Sequence, residues 1–199
     1  QQGEGPFYRY GYDLVLMPTQ YQVAGRRLGR DAGPGAPDVW TLLDTWLSAK
    51  PSRTLAVGLL GRRDPYFAPL PELPAEVRKV VGGVTPGDMA ITDGARSLES
   101  PQGRRYAVTF DRTPLQPLRV EGEDAAPLLT CDGQTYAAKR TLPNGSRVCV
   151  FGFPLGLSWM QSYDPEMPGG GNVNDKTPPA ELAALYADLA AEAGIVPDY

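Results

Sequence analysis

The stretch Tyr12–Gln20, YDLVLMPTQ, decides how the rest of the chain is read. Its apolar run Leu14-Val15-Leu16-Met17 is bounded by Asp13 and Pro18, the pattern of a short strand buried on both faces of a parallel sheet. Two later runs, TLAVGLL (Thr54–Leu60) and RVCVFGF (Arg147–Phe153), have the same character and also stop in Gly- or Pro-containing loops. In open α/β sheets the loops at the carboxyl ends of the strands are where ligands gather, so any function is expected there.

Between the first two runs, Val39, Leu42, Leu43, Trp46 and Leu47 recur at i, i+3, i+4, i+7 and i+8 and draw one apolar stripe down a helix. Pro37 and Asp38 suit its first turn, and Trp40 falls on the freer side. Strand, helix and strand make one βαβ unit. A short helix is expected at about Pro74–Val81, and TPGDMAITDGA reads as turns around a short strand. From Arg104 the period changes to two, with Tyr106, Val108 and Phe110 on one face of an antiparallel strand. The dipeptides Asp132-Gly133 and Asn144-Gly145 mark two hairpins in a meander of Leu128–Cys131, Thr135–Thr141 and Arg147–Phe153, the last apolar enough to join the main sheet. A terminal helix opens at Thr177 and Pro178, carries Leu182, Leu185, Leu189 and Ala193 on one stripe, and closes at Gly194. The expected fold class is α/β in a single domain, with a mostly parallel central sheet and an antiparallel β-meander, as 199 residues allow.

Composition excludes more chemistry than it selects. Histidine is absent, so Ser-His-Asp and Cys-His nucleophilic sites, and the commonest zinc sites, cannot be built from this chain alone. No apolar run reaches the length of a membrane-spanning helix. The net charge of -4, with both signs interspersed, lacks the positive field that nucleic acid requires. No cofactor is expected. The chain opens with Gln1-Gln2, which points to a removed leader or to a piece of a longer polypeptide, and a secreted or cell-surface location is expected.

Candidate sites are few. Asp164, Glu166 and Asp175 cluster around a Gly-rich loop, readable as a solvated loop, a weak calcium site, a carboxylate- or metal-dependent hydrolytic centre, or sugar contacts assisted by Trp159 and Tyr163. Arg62-Arg63-Asp64 lies at a strand mouth, where a charged loop is either solvated or anion-binding. A small-molecule module there would be lined by Gln20, Tyr21, Arg62, Trp159 and Tyr163. If both hairpins are tight, Cys131 lies opposite about Gln134 and Cys149 opposite about Arg140, too far apart along one strand for the disulfide's span of about 7 Å.

Taken in order, YDLVLMPTQY (12–21), LLDTWLSA (42–49), RVCVFGFPLG (147–156) and AGIVP (193–197) resemble the class I glutamine amidotransferase-like domain. Within it they are closest to the trimerisation domain that follows the catalytic barrel in bacterial β-galactosidases of the glycoside hydrolase class. The resemblance covers about Tyr12–Leu60 and Asn144–Pro197. It implies a flavodoxin-like three-layer sandwich that packs subunits and shapes the rim of a neighbouring active site. The family's catalytic glutamates lie in the barrel, so no catalytic residue carries over. Where an amidotransferase nucleophile would sit, this sequence has Gly58-Leu59-Leu60-Gly61-Arg62 and no thiol. The related domains begin with a further strand and helix, and only eleven residues precede Tyr12 here. The remainder of a longer or processed polypeptide is therefore an expected partner, covering an open sheet edge. A homo-oligomer is expected too, and carbohydrate is a further candidate partner.

Overall fold

In the computed structural model, residues 11–22, 38–64, 68–155 and 180–192 are described. Seven strands form one mixed sheet: β1 (Leu14–Met17), β3 (Thr54–Gly58), β6 (Ala90–Glu99), β7 (Arg105–Leu115), β9 (Ala125–Cys131), β10 (Gln134–Thr141) and β11 (Arg147–Phe151). Their spatial order is β1-β3-β11-β10-β9-β6-β7. The first three run parallel and the remainder antiparallel, so the expectation of a mostly parallel sheet is corrected: the described sheet is mixed, because the long meander strands β6, β7, β9 and β10 join it directly. Two small pairs flank the sheet: β2 (Gln20–Gln22) with β4 (Leu60–Arg63), and β5 (Val84–Pro86) with β8 (Leu118–Val120). Three helices complete the described chain: α1 (Val39–Ala49), α2 (Ala75–Val81) and α3 (Ala180–Glu192). Among the described residues no helix is long and apolar enough to cross a membrane.

Alternation along the strands separates two cores. Leu55 and Val57 of β3 and Val148 and Val150 of β11 pack with α1 and α2, while Ala56, Cys149 and Phe151 face the other side with Leu185 and Leu189 of α3. Every residue of β3 is buried, as a continuous apolar strand between two packed faces should be. β1 is not. It lies at the end of the sheet, all four of its residues are partly or well exposed, and Leu16 retains 44% exposure. The expectation of burial on both faces is corrected: none of the four residues is fully buried, and among the described residues β1 has one strand neighbour, β3.

Helix α1 begins at Asp38, whose carboxylate accepts the Trp40 amide at 2.7 Å. Trp40 is fully buried beside Val39, Leu43, Trp46 and Leu47, so the apolar stripe runs through it instead of Leu42, which stays half-buried. The far end of α1 is finished by distant residues. Asn144 Nδ2 and Ser146 Oγ donate to the Leu47 carbonyl at 2.8 and 3.0 Å, and the Arg53 guanidinium donates to the Trp46 carbonyl. Arg53 is 6% exposed and also lies over the Trp46 ring, 5.0 Å from its centroid. No basic residue stands in the last turn of α1, so Arg53 supplies the positive charge that the helix carboxyl end favours.

The long apolar run at Thr54–Leu60 is two strands rather than one, broken at Leu59 by a positive φ of 42°. The short strand expected within TPGDMAITDGA is the ten-residue β6. The hairpins fall where Asp132-Gly133 and Asn144-Gly145 place them, with φ of 51° and 74° at the first pair. Cys149 stands opposite Lys139 rather than Arg140, and Cys131 opposite Gln134. Five residues of β10 separate the two positions, about 17 Å at the usual rise. Both cysteines are free thiols.

Candidate functional site

The carboxyl ends of β1, β3 and β11 meet at Gly58 and Leu59. The Leu59 amide donates to the carbonyls of Phe151 and Phe153 at 2.8 and 3.0 Å, and the Leu155 amide donates to Pro18 O at 2.9 Å. Gln116 adds a further tie: it is 3% exposed, its amide donates to Gly152 O, and its side chain donates to Leu60 O at 2.8 Å. The three strand mouths are thus laced shut by backbone hydrogen bonds. Leu59 holds the left-handed backbone at the point where a nucleophile would be displayed, yet its side chain has no exposed surface. The elbow lacks both a reactive group and an opening. We predict that in a Leu59→Cys variant maleimide labels at most one thiol per folded molecule, Cys131, with Cys149 and the new cysteine reacting only after denaturation. Two labels under native conditions would contradict the closed elbow.

Beside this knot the surface opens into a trough of two adjoining recesses, about 550 and 250 Å³. Arg62, Pro86, Gly87 and Asp88 line both parts. The larger part adds Arg119 from β8 and Gln134 and Thr135 from the start of β10, and the smaller adds Leu70, Met89 and Gln116. Strand pairing explains how Arg62 comes here: Leu70 N donates to Arg62 O at 2.9 Å, which folds the chain after β4 back alongside it. The Arg62 guanidinium makes one long hydrogen bond, 3.4 Å, to Pro71 O. Among the described residues, Arg62, Arg119 and Asp88 form no ion pair, although seven other such pairs are present.

The trough holds one carboxylate, Asp88, whereas general acid–base hydrolysis of a glycoside uses two. Glu99 and Asp132 do share a recess of about 680 Å³ beside β6 and β9, but each is engaged by an arginine, Arg105 at 3.1 Å and Arg96 at 3.6 Å. Cys131 lines the same recess. Burial raises its thiol pKa, and the neighbouring Asp132 charge raises it further, so it is a poorer nucleophile than a free cysteine. No cluster of three metal-ligating side chains occurs among the described residues.

Of the residues singled out from the sequence, Arg62 is in the trough. Gln20, in β2, is 6% exposed and absent from its lining, and Tyr21 follows it in β2. Trp159, Tyr163, Asp164, Glu166 and Asp175 lie outside the described residues, as do Thr177, Pro178 and Gly194. Sequence reading missed Arg119, Asp88, Gln116 and Gln134. The Asp132-Gly133 hairpin was the one available signal, since it fixes where β10 starts.

By sequence, the chain matches no family model and no curated protein. By structure it is similar to Gan42B, a GH42 β-galactosidase from G. stearothermophilus, at 13% identity and a TM-score of 0.61, covering 96% of this chain and 22% of that one. A catalytic mutant of the same enzyme gives 12% identity, a TM-score of 0.60, and coverage of 94% and 22%. A β-galactosidase from the psychrophilic Marinomonas ef1 gives 12% identity, a TM-score of 0.52, and the same coverage. At these identities the likeness is one of fold, and the chain spans 22% of the length of the enzymes it matches.

Proposed function

We propose that this chain is a single, non-catalytic, amidotransferase-like domain with flavodoxin-like topology that holds together a glycoside hydrolase-associated assembly. The observation that carries this reading is the β1 side of the sheet, where no further strand pairs among the described residues. β1 is wholly apolar, yet none of its four residues is fully buried and Leu16 is exposed, while β3 beside it is buried throughout. Tyr12 and Leu16 are 50% and 44% exposed at that edge. Apolar edge strands with unpaired backbone groups recruit another strand, and natural proteins otherwise blunt them with charge or proline. Here the charge stands at Asp13, just before the strand, where Lys50 pairs with it at 2.6 Å. The occupant of the edge in this reading is a strand from the remainder of a longer polypeptide. The fold likeness supports it, because the matching regions are parts of much longer chains.

The closed elbow and the lone trough carboxylate favour a scaffold over a catalyst. Subunit packing and a secreted or cell-surface location belong to the same proposal. Hydrogen exchange over Tyr12–Gln20 tests it. In this chain alone those amides should exchange well before Thr54–Gly58, and in the full product of the gene the two segments should become comparably protected. No hydrolysis of aryl β-galactosides should be detected from the chain alone. Equal protection of Tyr12–Gln20 in both forms, or turnover by the isolated chain, would overturn the reading.

A further inference from the structure

We infer that the trough beside β4 binds an acidic saccharide, a sugar carrying a carboxylate, with Arg62 and Arg119 receiving the charged group. Two arginines line the larger recess and neither forms an ion pair among the described residues. By contrast Arg78, Arg96, Arg104, Arg105 and Arg140 all meet carboxylates. This chain carries 23 Asp and Glu against 19 Lys and Arg, so carboxylates outnumber the basic side chains they could pair with. Within the larger recess two guanidiniums against the single Asp88 leave one positive charge over, which one carboxylate would match, and Arg63 lines the smaller recess beside it. Guanidinium donors suit that group because their fork meets its two oxygens.

The rest of the lining fits a polyol better than a bare ion. Asp88 accepts hydrogen bonds, Gln134 and Thr135 both donate and accept, and Pro86, Pro117 and Leu118 offer an apolar wall to a ring's C–H face. A volume of about 550 Å³ lies inside the usual span of small-molecule sites, about 300–1,000 Å³. The trough also sits at the carboxyl end of the parallel strands, where the main sheet changes from parallel to antiparallel at β11 and β10. None of these observations involves the β1 edge, so the two proposals fail separately.

Isothermal titration of the whole chain with digalacturonate, with galactobiose and with sodium sulfate decides the matter. Digalacturonate should bind at least about ten-fold more tightly than galactobiose, the size of a charge-assisted hydrogen bond. Arg62→Gln and Arg119→Gln should each weaken digalacturonate by about ten-fold, while Arg78→Gln, on the α2 surface, should leave it unchanged. Near-UV circular dichroism checks that the variants remain folded. Equal affinity for galactobiose, indifference to both trough substitutions, or no heat from digalacturonate would overturn the inference. Sulfate binding as tightly as digalacturonate would also overturn it, by reducing the site to a bare charge patch.

Discussion

Gly58→Ala is expected to lower the stability of the fold by about 3 kcal/mol or more, the range reserved for core overpacking against parts that cannot yield. A β-carbon there would stand 2.1 Å from Pro18 O, 2.7 Å from Leu155 N and 2.9 Å from Pro18 C. All three are backbone atoms, so no side chain can swing aside. Pro18 O is already the acceptor for Leu155 N, and a methyl group would have to break that bond and push β1 away from β3. Gly145→Ala is the matched control. Its φ of 82° disfavours a side chain, but its surroundings are open, with Ser52 Oγ at 3.9 Å the nearest atom. The cost there should be that of left-handed backbone alone, about 1–2 kcal/mol. Urea melts of both variants provide the comparison. A smaller loss at position 58 than at 145 would show that the three strand mouths are not locked as described.

The second large effect is expected at Trp46. Trp46→Ala should cost about 3–5 kcal/mol, the usual toll of removing a buried aromatic ring. Trp46 is fully buried under the sheet, and its loss would also strip the Arg53 guanidinium of the ring it lies over. Arg53 would keep its bond to the carbonyl of residue 46, because that acceptor is backbone. Chemical denaturation of Trp46→Ala, Arg53→Leu and the double variant measures the coupling between the two side chains. A contact of this kind should give a non-additivity above about 0.5 kcal/mol. Strict additivity would mean that Arg53 serves the helix end alone.

Much of the architecture was legible because it is local. The alternation of Tyr106, Val108 and Phe110 became a strand with those three buried, and the two Gly-containing dipeptides became the turns of the meander. Leu185 and Leu189 of the terminal helix are both buried against the sheet. The misreadings concern neighbours that periodicity cannot see. An apolar tetrapeptide such as Leu14-Val15-Leu16-Met17 looks alike at the centre and at the edge of a sheet, and only the pairing partners distinguish the two. Trp40 stands three and seven positions before Leu43 and Leu47 and so flanks the stripe on the side opposite Leu42, and which flank is buried depends on the neighbouring elements that periodicity does not show. The break at Leu59 was hidden in an unbroken run of small and apolar letters. The trough was the least legible feature, since Arg62, Asp88, Arg119 and Gln134 come from four separate parts of the chain. Arg62 alone announced itself, by following a strand.

The carbonyl closing α1 at Leu47 waits for Asn144 and Ser146, partners 97 and 99 positions later. On a ribosome, that helix would leave the exit tunnel with a ragged end and remain so until the final hairpin had been translated. The amino-terminal half therefore has little independent existence as a folding unit, and nascent chains arrested before Asn144 should be easy prey for proteases and clients of chaperones.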